Sequence, residues 1–219
     1  DSLSLHDALP ISDPLNVNEP ANLARTIADL KLSYVVITSV DRDELKDGGS
    51  IIWYNTIKAV KNLNPDTTLE TLIPDFKGNA DQVQRIIDAA PEVVSHNMET
   101  VERLTRQVRI QAKYRRSLEV LRMLKEGGMR TKTGIMLGLG ETKEEVIQSM
   151  QDLRGVNVDV LTLGQYLQPT KKHLPVHRFV HPDEFAELRA IGYELGFDYV
   201  ESGPLVRSSY HAEKHLFDF

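Results

Sequence analysis

The 219-residue sequence contains no cysteine. Disulfides are therefore excluded, as is any metal site held only by thiolates. Basic residues are not in surplus: 26 Lys and Arg stand against 32 Asp and Glu, a formal net charge of -6. That balance lacks the electrostatic footprint of nucleic-acid binding. No apolar run approaches the length of a membrane span. The first twelve residues, DSLSLHDALPIS, lack the basic start and apolar core of a secretory signal and the Arg-rich pattern of a transit peptide. A cytoplasmic chain is expected, with neither nucleic acid nor membrane as partner. One local cluster of cations, Lys171, Lys172, His173 and Arg178, is read as a solvated loop.

What is present is the composition of a globular domain, 41% apolar and 26% charged. Two kinds of segment alternate. Runs rich in Val, Ile, Leu and Thr at Tyr34–Val40, Thr68–Ile73, Val93–His96, Thr131–Leu137 and Val158–Leu163, with a weaker one at Asp198–Glu201, read as buried strands. Between them, apolar residues three and four apart predict helices at Glu19–Leu30, Ile52–Leu63, Ala80–Ala90, Ser117–Glu126, Lys143–Arg154 and Pro182–Leu195. Pro20 suits a first turn, Thr142 a cap followed by acids, and Gly127, Gly128 and Gly196 suit helix ends. The alternation implies parallel strands joined by crossover helices. The near-continuous apolar strands imply cover on both faces. The length fits an incomplete (βα) barrel better than one of eight units.

Function in such barrels sits at the C-terminal ends of the strands. Here those ends read Thr38-Ser39-Val40-Asp41-Arg42-Asp43, Pro74-Asp75-Phe76, His96-Asn97-Met98-Glu99-Thr100, Gly138-Leu139-Gly140-Glu141 and Gly164-Gln165-Tyr166-Leu167-Gln168-Pro169. All are rich in hydrogen-bonding groups. Asn97 and Glu99, two apart past a strand, suit a sugar diol, though a self-capped loop fits the same spacing. GLGE lacks the Lys-Ser/Thr of a phosphate loop and reads as a strand-to-helix turn. Pro175 interrupts His173, His177 and His181, and His211 and His215 suit a surface helix better than a metal site.

Together, YVVITSVDRDELKDGG, ETLIPDFKG, HNMETVERLTRQVR, TKTGIMLGLGET, LTLGQYLQPTKKHLPV and GPLVRSSYHAEKH resemble, in this order and spacing, the lipoyl synthases of the radical S-adenosylmethionine (radical SAM) enzymes. The resemblance runs from Asn18 to His215. It implies a partial radical SAM barrel over residues 13–219 with a C-terminal extension. Residues 1–12 are then a disordered leader foreign to the pattern, and the first barrel strand is missing. It implies two four-iron–four-sulfur clusters and S-adenosylmethionine, with sulfur inserted at carbons 6 and 8 of an octanoyl-lysine on a lipoyl carrier domain or H protein.

Carried over by position, Ser39 meets the methionine end of S-adenosylmethionine, Asn97 and Glu99 the ribose, and Ser117 and Arg109 the carboxylate. Gly138 and Gly140 admit the adenine, Ser209 ligates the sulfur-donating cluster, and Arg207 helps to hold that ligand. The resemblance also calls for cysteines spaced C-x3-C-x2-C and C-x4-C-x5-C, and neither set is present. Clusters are therefore not expected to assemble in this chain, and no catalytic residue is assigned with certainty. A missing first strand would also leave Tyr34–Val40 as a sheet edge. Two alternatives stand beside this reading: a non-catalytic fragment that binds S-adenosylmethionine or a lipoyl carrier, and a cluster-free (βα) barrel lyase, for which Lys132 lies at the wrong end of its strand.

Overall fold

The computed structural model describes residues 14–209. Residues 1–12, expected to be a leader, and the pair His211 and His215 lie outside those residues. Six strands form one parallel sheet whose spatial order is their order in the chain. They are β1 (Tyr34–Thr38), β2 (Thr68–Leu72), β3 (Val93–Ser95), β4 (Arg130–Leu137), β5 (Val160–Gln165) and β6 (Tyr199–Gly203). The main helices are α1 (Glu19–Leu30), α2 (Ser50–Leu63), α3 (Ala80–Ala89), α4 (Thr105–Val108), α5 (Tyr114–Glu126), α6 (Lys143–Gly155) and α7 (Pro182–Glu194). This is the partial (βα) barrel expected, with six strands among the described residues. Among the described residues, β1 pairs with β2 alone.

Local chemistry sets the helix ends. Asp47 starts α2 earlier than the apolar pattern does, because its carboxylate accepts the Ile51 amide at 2.9 Å. Thr142 and Glu145 form a reciprocal capping box on α6. His181 caps α7 by accepting the Asp183 amide at 3.3 Å. The short α4 carries too few residues to show a helical period.

The outward faces of the strands are apolar. Leu69 and Val94 pack under α2, α3 and α5, while Ile135, Leu137, Leu161 and Leu163 pack under α5, α6 and α7. The inward face corrects the expectation of continuous apolar runs. Tyr34, Glu70, Ser95 and Lys132, from four neighbouring strands, meet inside the barrel. Lys132 Nζ donates to both Glu70 oxygens at 2.8 and 3.1 Å, Ser95 Oγ to one at 2.7 Å and Tyr34 Oη to the other at 2.7 Å. Both charged side chains are only 1% exposed. Each charge is tolerated there because the partner and the two hydroxyls replace water.

Candidate functional site

A cavity of about 200 Å³ opens at the C-terminal ends of β3, β4 and β5, lined by Asn97, Glu99, Gly134, Met136, Thr162 and Arg207 among others. Asn97 and Glu99 therefore reach one space, as their two-residue spacing allows. The Asn97 Oδ1 is buried and has no hydrogen-bond partner among the described residues. Buried polar atoms are nearly always satisfied, so an orphan on a residue that lines a cavity points to a donor arriving from a ligand.

Gly134 makes that arrangement possible. A Cβ there would lie 2.9 Å from Thr162 Oγ1 and 3.1 Å from Asn97 Oδ1. Glu99 has φ of 65°, a left-handed conformation that costs a residue with a side chain on the order of 1 kcal/mol or more. Strand β4 holds it there: the Glu99 amide donates to the Gly134 carbonyl, and the Met136 amide to the Glu99 carbonyl, both at 2.9 Å.

Beside the cavity runs a buried chain of hydrogen bonds. The Nδ1 of His96 lies 3.0 Å from the Ile73 carbonyl, which only accepts, so Nδ1 carries the proton. Nε2 then accepts from the Ser117 hydroxyl at 2.9 Å, and Ser117 Oγ accepts from Arg109 Nη1 at 3.1 Å. Arg109 Nη1 also lies 3.4 Å from the carbonyl of Met98, the residue between Asn97 and Glu99. Ser117 is wholly buried, and its hydroxyl bridges His96 and Arg109.

Burial, and then the Arg109 charge, push His96 down to about 4 from 6.5. Between those values the unfolded chain binds the extra proton. The stability tied to the neutral ring is therefore complete above about 6.5 and is lost as pH falls toward 4. Urea unfolding is expected to show about 2 kcal/mol less stability from this group at pH 5 than at pH 7.5, and His96→Gln should flatten that difference. Equal pH slopes in the two proteins would remove the assignment.

The loop after β5 is strapped down. Gln165 Oε1 accepts the Val180 amide at 2.8 Å, and its Nε2 donates to the Arg178 carbonyl at 3.1 Å. Tyr166 Oη donates to the Leu174 carbonyl at 2.8 Å. This strap also reaches Gly138, carried over as an adenine approach. With φ of 99°, Gly138 has the space of its missing side chain filled by the Gln165 amide and the Arg178 carbonyl. The Gly138 and Leu139 amides are both taken by the Glu141 carboxylate, at 2.6 and 2.9 Å, so GLGE is a closed turn. Gly140 faces the His177 ring instead of the cavity.

Ser39 is exposed just past β1, outside the cavity lining, and Ser209 is exposed one residue beyond Ser208, which does line it. Among the described residues no group of three His, Asp or Glu side chains is placed to hold a metal ion. Lys132, the residue weighed for a lyase, is buried and paired with Glu70. Sequence reasoning missed Gly134, Met136 and Thr162 as lining residues. The inward alternation along β4 and β5, read with period two, would have found them. No helix among the described residues is long and apolar enough to cross a membrane.

The model of the radical SAM superfamily matches residues 7–153. Lipoyl synthase of Flavobacterium johnsoniae is 67% identical over 91% of this chain and 69% of its own length. The mitochondrial lipoyl synthase of Nematostella vectensis is 66% identical over the same shares. Among solved structures, methylornithine synthase (PylB) superposes with a TM-score of 0.62 at 14% identity, over 90% of this chain and 65% of that one. Streptococcus suis SuiB bound to S-adenosylmethionine gives 0.66 at 11% identity, over 91% and 47%. The chain thus spans less than two thirds of these solved chains, and at such identities the likeness is one of fold.

Proposed function

The chain belongs to the radical SAM superfamily and, within it, to the lipoyl synthases, and from that premise we propose that its cavity binds S-adenosylmethionine beside an entrance for an octanoylated lysine. That lysine is carried by a lipoyl carrier domain or H protein. The orphan Asn97 Oδ1 is the observation that carries the reading. Asn97 and Glu99 hold the ribose hydroxyls, Arg109 the carboxylate, and Ser39, exposed past β1, is assigned to the methionine end. Gly134 keeps the floor clear.

The residues present do not fit the clusters. Four-iron–four-sulfur clusters of this kind are held by cysteine thiolates, and the 219 residues contain none. Ser209 offers one oxygen, and one oxygen does not hold a cluster. The reading for these 219 residues by themselves is therefore binding and positioning, without turnover of the family's sulfur insertion at carbons 6 and 8. The barrel lyase is not favoured, because the Lys132 amine is occupied by Glu70.

The strap supports an acidic partner at the entrance. From Val160 to His181 there are 22 residues without a carboxylate, in a chain of net charge -6. Lys171 and Lys172 are exposed there, near the exposed Leu167 and Phe179. Such a surface, apolar with a cationic rim, suits docking of an acidic domain.

Calorimetry of the purified chain tests the ligand. S-adenosylmethionine is expected to bind, and Asn97→Ala and Glu99→Gln each to weaken it about tenfold, the worth of one well-placed hydrogen bond in a closed site. Unchanged affinity in both variants would move the ligand elsewhere.

A further inference from the structure

Five charged side chains are buried among the described residues: Glu70, Arg109, Lys132, Glu141 and Asp159. Four have an ionic partner. Glu70 meets Lys132, Asp159 meets Lys125, and Glu141 lies 4.0 Å from Arg178. Arg109, 6% exposed, makes no ion pair among the described residues, and its Nε has no hydrogen-bond partner. A buried, unpaired guanidinium is costly unless an anion arrives to meet it.

Its position says from where. Glu99, Asp75 and Asp41 act on its charge through space, and they follow β3, β2 and β1 respectively. Arg109 therefore lies near the C-terminal ends of three strands, against the carbonyl of Met98, whose neighbours Asn97 and Glu99 line the cavity although Arg109 itself does not. None of the three carboxylates closes on it as a salt bridge, and Asp75 is taken by Arg116 at 2.7 Å.

What holds the guanidinium in place is the chain of hydrogen bonds behind it. Arg109 lies in the loop between α4 and α5, where no regular element fixes its rotamer. Ser117 is on α5, and His96 follows β3 directly. The Ile73 carbonyl fixes the His96 tautomer. The tautomer makes Nε2 an acceptor, and that obliges the Ser117 hydroxyl to turn its proton to His96 and its lone pair to Arg109. Reversing any link would put two donors or two acceptors face to face.

We propose that His96 is a positioning residue which, through the Ser117 hydroxyl, aims Arg109 as the anchor for the carboxylate of the bound ligand. This rests on the reading of the cavity as an S-adenosylmethionine site. His96 touches no ligand. It sets the direction of a cation that does.

The test compares S-adenosylmethionine with its decarboxylated form by calorimetry on the 219-residue chain. The unaltered chain should prefer the carboxylate-bearing ligand. His96→Leu and Ser117→Ala should each weaken S-adenosylmethionine about tenfold and leave the decarboxylated ligand unmoved. His96→Gln, whose amide oxygen can accept from Ser117, should restore the preference. Ser117→Ala removes the bridge with the smallest change to the core, so a folding failure of His96→Leu does not decide the matter. Equal weakening of both ligands, or of neither, would overturn the proposal and leave the network as a stitch between β3 and α5.

If the unaltered chain binds neither ligand, it is the site reading that fails. Spectra of ¹⁵N-arginine-labelled protein then decide the positioning separately. The Arg109 Nε–H signal, assigned with Arg109→Lys, should shift in Ser117→Ala and recover its place in no variant lacking an acceptor at residue 96. A signal indifferent to both residues sinks the positioning role.

Discussion

Lys132→Met is expected to cost the fold about 3–5 kcal/mol, because it leaves the Glu70 carboxylate buried and uncompensated. Lys132 Nζ supplies two of the four hydrogen bonds that Glu70 receives. The hydroxyls of Ser95 and Tyr34 remain, but neither carries charge. The penalty belongs to the stranded charge rather than to lost packing, since methionine fills much the same space. Pairing the change with Glu70→Gln should therefore recover most of it: glutamine still accepts from a hydroxyl and has no charge to strand. Urea unfolding followed by circular dichroism measures all three variants. A single-variant loss under about 1 kcal/mol would mean that water reaches Glu70, and the account of the barrel interior would be wrong.

The second large effect is all-or-none. Anaerobic reconstitution of the purified 219 residues with ferrous iron and sulfide is expected to leave no stoichiometric iron, no sulfide-to-iron absorbance and no cleavage of S-adenosylmethionine to deoxyadenosine. The reason is chemical: thiolates grip such clusters, and this sequence has no cysteine. Among the described residues no other ligand group gathers. The same chain joined to a segment bearing the two cysteine spacings of the family should gain all three signals. Stoichiometric iron and deoxyadenosine from the cysteine-free chain would overturn the prediction.

Much of this was legible in the sequence. Alternating apolar periods located all six strands and the six longer helices, and α1 runs from Glu19 to Leu30 as its pattern predicts. Asn97 and Glu99 were legible because two residues past a strand return to the same face. The interior was less so. TLETLI and TKTGIML look apolar as wholes, yet Glu70 and Lys132 occupy inward positions, and their pairing depends on strand neighbours distant in sequence. The neighbour of Gly138 was hidden for a related reason. A glycine announces close approach without saying what approaches, and here Gln165 and the Arg178 carbonyl do so from the strap. Arg109 and Ser117 were reached through the family resemblance, not through spacing or period. Their coupling through His96 was not, since it rests on a fold-dependent contact with Ile73.

Strand order that copies chain order has a consequence for how the molecule is made. Each βα unit leaving the ribosome finds the edge it needs already laid down by the unit before it, so assembly can advance by accretion instead of waiting for a distant tail. Among the described residues the last wall to arrive bears Gly164, Gln165 and the turn at Val206, which line the cavity. The cavity therefore takes shape only after the strands that precede these residues have paired, and until then its walls are incomplete.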